Sequence, residues 1–256
     1  MEKAALSVIY TDLTSSLEKQ KEALPENFNK QRFVQNCMTV LQDAKVDYSK
    51  CEPRSIVRTL LKGSFLGLDF FNGECYAIPY GNQCQFQTDY KGEIKLCKKY
   101  STNPIKDIYA KLVKEGDVFE EEIANGKQTI NFKPLPFNDG KIIGAFAVVV
   151  YKDGSMIYDT MSVKEMDKTR EVFSKAANSK AWKETPGEMY KKTVLRRICK
   201  LIDLNFDNSE QMKAFEEGSD FDANKKVEPE VVNAEDPFAK TEDVIDGEAK
   251  VIDEEE

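Results

Sequence analysis

Residues 207–256 hold 18 acidic side chains against 5 basic ones, whereas residues 1–206 hold 27 against 32, so the chain joins two different materials end to end. The net charge of −8 comes from the C-terminal segment, and the rest carries +5. Beyond Asn205 the hydrophobic residues are scattered (Phe215, Phe221, Val231, Val232, Phe238, Val244, Ile245). A segment that charged buries too little apolar surface to offset its ordering entropy. Residues 207–256 are therefore expected to form an acidic, largely disordered tail, and the fold is sought upstream. A net of +5 is too small for phosphate binding by bulk charge, so such binding would need basic residues clustered on one face.

Several kinds of chemistry have no residues to perform them. The chain has no histidine, which removes Ser-His and Cys-His nucleophile pairs and the imidazole base. No G-x-x-x-x-G-K-[ST] stretch is present to cradle nucleotide phosphates, and no two glycines are separated by one residue, as dinucleotide binding requires. The six cysteines (Cys37, Cys51, Cys75, Cys84, Cys97, Cys199) form no CxxC and read as reduced interior thiols. Asp117, Glu120, Glu121 and Glu122 could hold magnesium for phosphoryl transfer, but three consecutive carboxylates cannot converge from one strand face, so a solvated turn between strands is the better reading. No metal and no cofactor are expected. No apolar run approaches the roughly 18 residues of a membrane span, and no apolar leader follows a basic start, so a soluble cytoplasmic protein is expected.

Residues 1–27 are polar and read as a mobile arm or a weak helix. From Asn29 to Ala44, and again from Pro53 to about Gly67, apolar residues recur at three-and-four spacing, which predicts two amphipathic helices. Cys75–Tyr80 and Gln83–Thr88 alternate across a Gly81-Asn82 turn, the pattern of a hairpin, and Tyr90–Tyr100 reads as a short basic helix. Ile105–Val113, Thr129–Lys133, Ile142–Tyr151 and Ser155–Met161 read as strands of an antiparallel meander, with turns at Asn125-Gly126 and Asp153-Gly154. A helix is expected over about Val163–Lys175. A last one begins at Thr185-Pro186-Gly187-Glu188, which offers a cap hydroxyl, a first-turn proline and a reciprocating carboxylate, and it runs to about Leu201. The expected class is α+β: an antiparallel hairpin and meander sheet packed on helices.

Two segments concentrate cations, amides and aromatics. In Gln83–Gly92, Gln83, Gln85 and Gln87 share one strand face, while Tyr90 offers a ring and Lys91 a cation, with Lys95 and Lys99 further along the helix. The alternative is an exposed polar strand with a core tyrosine. In Lys175–Lys200 stand Lys175, Trp182, Lys183, Lys191, Lys192, Arg196 and Arg197, with Lys192 and Arg196 neighbours on one helical face. An ordinary solvated face, with Trp182 in the core, is the competing reading.

The runs Leu66-Gly67-Leu68-Asp69, Ile78-Pro79-Tyr80-Gly81, Gln87-Thr88-Asp89-Tyr90-Lys91-Gly92 and Met189-Tyr190-Lys191-Lys192-Thr193-Val194-Leu195-Arg196-Arg197 stand in the order and spacing of the RecT family of phage and prophage annealing proteins, which the chain resembles from about residue 30 to 206. The resemblance implies a core similar to the strand-annealing mediator and to lambda Red beta, with DNA in a basic groove, and assembly into rings or helical filaments. It implies a DNA-binding and oligomerisation core over 28–206, between an N-terminal arm (1–27) and the tail. It also marks Gln87, Tyr90, Lys91, Lys191, Lys192, Arg196 and Arg197 as groove residues, with Trp182 and Lys183 as a matching Trp-Lys pair. The expected function is ATP-independent binding of single-stranded DNA and annealing of complementary strands to a duplex, without bond chemistry, in a bacterial cytoplasm. Expected partners are further copies of the chain, a phage exonuclease and the host single-strand binding protein; the tail either recruits such a partner or competes with DNA. The alternatives are a passive single-strand coating protein and, further off, a carboxylate-metal nuclease.

Overall fold

The computed structural model describes residues 3–43, 45–174, 177–178 and 180–218. The expectation of disorder over 219–256 lies outside these residues, as does the placement of Lys175.

The first layer is helical. Helix α1 (Lys3–Lys19) buries Ile9, Leu13 and Leu17, which lie four residues apart and form one stripe, so this segment is a packed helix rather than an arm. A short 3-10 turn (Lys21–Ala23) leads to α2 (Lys30–Gln42), whose first turn is capped by the Asn29 side chain accepting from the Arg32 N–H. Helix α3 (Pro53–Leu66) opens on a proline and stops at Gly67, which adopts the left-handed φ of 65° that a side chain would resist. The hairpin β1 (Cys75–Tyr80) and β2 (Gln83–Thr88) turns at Gly81, with φ 62°, and lays Cys75, Ala77, Cys84 and Phe86 onto α3. Phe33, Phe70 and Phe86 pack in series, with ring centroids 6.1 and 6.2 Å apart, tying α2 to the hairpin.

The second layer is a sheet. Helix α4 (Tyr90–Tyr100) follows the hairpin, and β3 (Ile105–Lys114), β6 (Ile142–Tyr151) and β7 (Met156–Ser162) form an antiparallel sheet in the order β3-β6-β7. Between β3 and β6 the chain leaves to build a separate hairpin, β4 (Val118–Ala124) and β5 (Lys127–Lys133), turning at Asn125-Gly126. The expected antiparallel arrangement is present, but the strand expected over Thr129–Lys133 pairs with β4 outside the three-stranded sheet. The carboxylates Glu120, Glu121 and Glu122 sit on β4 rather than in a turn, because only Phe119 of that strand is needed inward. Phe119 and Phe132 of this hairpin clamp Phe146 of β6, at 5.1 and 5.0 Å.

The other face of the sheet, with Ala145, Ala147 and Val149, packs against α7 (Pro186–Cys199) through Val194, Leu195 and Ile198. Helix α5 (Val163–Phe173) starts with a capping box: the Ser162 hydroxyl accepts from the Glu165 N–H, and the Glu165 carboxylate accepts from the Ser162 N–H. No such bond forms at α7, where the Thr185 hydroxyl donates instead to Ala181 O in the short helix α6 (Lys180–Glu184). Helix α8 (Ser209–Gly218) lies within the expected tail but is ordered, packing on α3 and β2 with Gln211 and Ala214 buried. Gln211, Ala214 and Gly218 form one buried face there despite the acidic composition. All six cysteines are buried free thiols. Among the described residues no helix is long and apolar enough to cross a membrane.

Candidate nucleic-acid interface

The register of the first hairpin sorts its residues by face. Tyr76 opposes Gln87, Ile78 opposes Gln85 and Tyr80 opposes Gln83, so these six side chains share the face turned away from α3. Tyr76 and Tyr80 are 43% and 36% exposed, enough for a planar ligand to reach their rings. The glutamines were legible from alternation. The two tyrosines opposite them were missed, although the same period applied to β1 would have found them.

At the base of this hairpin Asp89 caps α4, accepting from the Lys91 N–H, and Tyr90 packs partly into the core. Partial burial raises the Tyr76 phenol pKa, and the nearby Asp89 carboxylate and Tyr90 add to the shift. Along α4 the exposed residues include Lys91, Lys95, Lys98 and Lys99, while the one carboxylate of that helix, Glu93, faces inward. Lys95 reaches Glu74 and Gly67 O, Lys98 reaches Asp107, and Lys99 lies 4.5 Å from the Tyr100 ring centroid. Desolvation lowers the pKa of Lys99. The hairpin and α4 together present stacking surfaces, amides and a run of cations.

The second cluster is arranged otherwise than expected. Lys192 and Arg196 do share one face of α7, but that face meets α4. There Lys192 Nζ lies 3.0 Å from Asp89 Oδ2, and the Arg196 guanidinium lies 3.0 Å from Glu93 Oε1. Two acids four apart on one element thus pair with two bases four apart on another. Arg196 is buried, donates also to Thr88 O, and belongs to the interior rather than to a groove. Lys192 keeps partial exposure and sits 6.0 Å from the Tyr90 ring centroid. Arg197 pairs with Asp159 on β7 at 2.9 Å, and Lys191 with Glu188 at 2.6 Å.

Trp182 is a core residue: it is buried, edge-on to Tyr190 at 5.9 Å, and covered by the Arg170 guanidinium at 5.0 Å. Stacking on a base would require pulling it out of that cage. Lys183 beside it is exposed, as is Gln85, while Gln87 is half-buried. The structure thus sets Gln85 and Gln87 on the outer hairpin face, Tyr90 and Lys192 beside each other at its base, and Lys91, Lys95 and Lys99 on exposed positions of α4, while Trp182 lies in the core and Lys191 and Arg197 pair with Glu188 and Asp159.

A fold that lays a basic helix beside a tyrosine- and glutamine-faced hairpin fits a protein that handles single-stranded nucleic acid. The RecT family model matches residues 31–235, most of the chain, and the chain belongs to the RecT family, one of recombination and strand-annealing proteins. It is 27% identical over 210 residues to Protein RecT of Escherichia coli (strain K12), covering 78% of this chain and 76% of that protein.

Proposed function

We propose that this protein binds single-stranded DNA and anneals complementary strands without ATP, metal or bond chemistry, within the bacterial cytoplasm and as an assembly of identical subunits. The observation that carries the reading is the pairing of Tyr76 with Gln87 and Tyr80 with Gln83 on a solvent-facing strand pair, next to the lysine run of α4. Aromatic faces take any base by stacking, worth about 1–3 kcal/mol each, and lysines neutralise phosphate without regard to sequence. A strand held by its backbone, with its pairing edges turned outward, no longer repels a second strand as strongly. Duplex stacking then supplies about 1.4 kcal/mol per step. Nothing in this sequence of events needs a nucleophile or a hydrolysed nucleotide. Gln85, Gln87, Lys91, Lys95, Lys99 and Lys192 are proposed to line the path, with Tyr76 and Tyr80 added to it. Recruitment of an exonuclease or a single-strand binding protein is assigned to residues beyond Gly218.

Mixing complementary labelled oligonucleotides with the protein and no ATP tests the proposal. A pairing rate well above the spontaneous one is expected. Protection of single strands without faster pairing would make the protein a passive coat, and degradation in magnesium would make it a nuclease.

A further inference from the structure

The three-stranded sheet is covered unevenly on its two faces. Ile108, Ala110 and Leu112 of β3 pack toward α7, so Asp107, Tyr109, Lys111 and Val113 point to the opposite face, where β6 adds Phe146 and Val148. The hairpin of β4 and β5 covers part of that face. Phe119 and Phe132 close on Phe146, and the Tyr158 N–H of β7 donates to Gln128 Oε1 at 3.0 Å, which pins the hairpin on the β7 side. The β3 side stays open. There a cleft of about 530 Å³ runs in between sheet and hairpin, with Phe146, Val148 and Met156 as its floor and Ile130 and Phe132 as its roof. Asp107, Tyr109 and Lys111 stand at its mouth. The volume falls in the range of about 300–1,000 Å³ usual for small-ligand sites.

The mouth defines the chemistry of what enters. Tyr109 is 38% exposed and has no ring partner among the described residues, and Lys111 is exposed with no ion pair among them. An aromatic face, an apolar slot and an unneutralised cation at its lip match a flat ring that carries an anion close by, which is the form of a nucleotide. The cleft also adjoins the proposed strand path. Lys98 of α4 lies 3.2 Å from Asp107 at the mouth, so a strand that follows the α4 lysines reaches the cleft at that pair. Inside, Ile130, Phe132, Phe146, Val148 and Met156 offer no side-chain hydrogen bond, and a base lodged between sheet and hairpin has protein on both faces. Such a base cannot pair. A base with a complement gains more in the duplex, whereas one without a complement costs least to take out of the stack.

We infer that this cleft holds a single unpaired base of an annealed product, the extra nucleotide of a bulge or one member of a mismatch, with Tyr109 stacked on its face and Lys111 beside its phosphate. The site is separate from the tyrosine and glutamine face of the first hairpin. Its use rests on the annealing reading, since a strand must first lie along α4.

Fluorescence anisotropy of the full chain with two labelled duplexes tests the site. One duplex is fully matched, the other carries one extra thymidine at its middle, and each is annealed in the presence of the protein without ATP. The wild type is expected to hold the bulged duplex more tightly by about 5- to 140-fold, the span of one stacking contact. Tyr109→Ala is expected to bind both alike, and Tyr109→Phe to keep the preference because its ring is intact. Lys111→Ala is expected to keep a smaller preference, with a salt slope for the bulged duplex shallower by about 0.7. Both positions lie at the exposed mouth, so the unfolding midpoints should match that of the wild type. Equal affinity of the wild type for the two duplexes, or a preference that survives Tyr109→Ala, would overturn the inference. Single strands retained and paired without any such preference remove this site and leave the annealing reading, whereas a chain that retains no oligonucleotide removes both.

Discussion

Arg196 and Glu93, 103 residues apart in sequence, form a buried ion pair in which Nε and Nη2 of the guanidinium lie 3.1 and 3.0 Å from one carboxylate oxygen. The Thr88 hydroxyl lies 2.9 Å from the same oxygen and 3.0 Å from Gly218 O, so β2, α4, α7 and the end of α8 meet at one polar node. Burial raises the pKa of Glu93, and Arg196 is the largest influence opposing the rise.

Removing one partner strands the other. Arg196→Ala should cost about 3–5 kcal/mol, whereas Arg196→Met combined with Glu93→Leu should recover most of it. Without its guanidinium, Glu93 in the native state holds its proton to still higher pH than in the unfolded chain. Stability of the single variant should therefore fall as pH rises through the native Glu93 pKa, and its deficit against wild type should shrink toward acid. Urea unfolding across a pH series reads this directly. A deficit that does not change with pH would mean that Glu93 is not the group left behind.

Trp182 fills the space between Tyr190 and Arg170, and Trp182→Ala should destabilise the fold by about 3–5 kcal/mol, as large core truncations do. Oligonucleotide affinity per folded molecule, measured below the unfolding transition, should stay within a factor of about two of wild type, because the loss is in the core and not at the ligand. A stable variant with lost affinity would return Trp182 to the groove.

The capping box at α5 should be acid-sensitive. The backbone hydrogen bond from Ser162 lowers the Glu165 pKa, so the carboxylate's stabilisation is complete above the ordinary glutamate range and disappears as pH falls through the lowered native value. Glu165→Gln should therefore be less stable than wild type near neutral pH and equal to it in acid. Ser162→Ala should cost about 1 kcal/mol. Thermal unfolding at pH 7 and in acid distinguishes the two states.

Two truncations separate the ordered from the acidic part of the C-terminal segment. Ending the chain after Gly218 keeps the Lys62–Glu217 ion pair and the Thr88–Gly218 contact, and the unfolding midpoint should match that of the full chain. Ending it after Phe206 removes α8, exposes apolar surface on α3 and Phe86, and should lower the midpoint by several degrees.

Local signals carried most of the elements. The hairpin Cys75–Thr88 follows from strict alternation around Gly81, and α3 from a leading proline and a left-handed Gly67. Each depends on residues within one turn or pair of strands. Strand β4 was hidden because both its faces are mostly wet, and composition masked α1 and α8, whose buried stripes are narrow. The site was half legible for the same reason. Which side of α7 faces solvent depends on Asp89 and Glu93 lying across from Lys192 and Arg196, and no window of sequence contains both pairs. The sheet order β3-β6-β7 is likewise set by a partner that enters after an inserted hairpin.

The hairpin face is the center of the account, and its direct test is the affinity of a Tyr76→Ala, Tyr80→Ala variant for a single-stranded oligonucleotide at fixed salt. Two lost stacking partners should weaken binding by about 30- to 20,000-fold and slow annealing in proportion, with the unfolding midpoint close to that of wild type. A folded variant that binds and anneals as the wild type does would contradict the account.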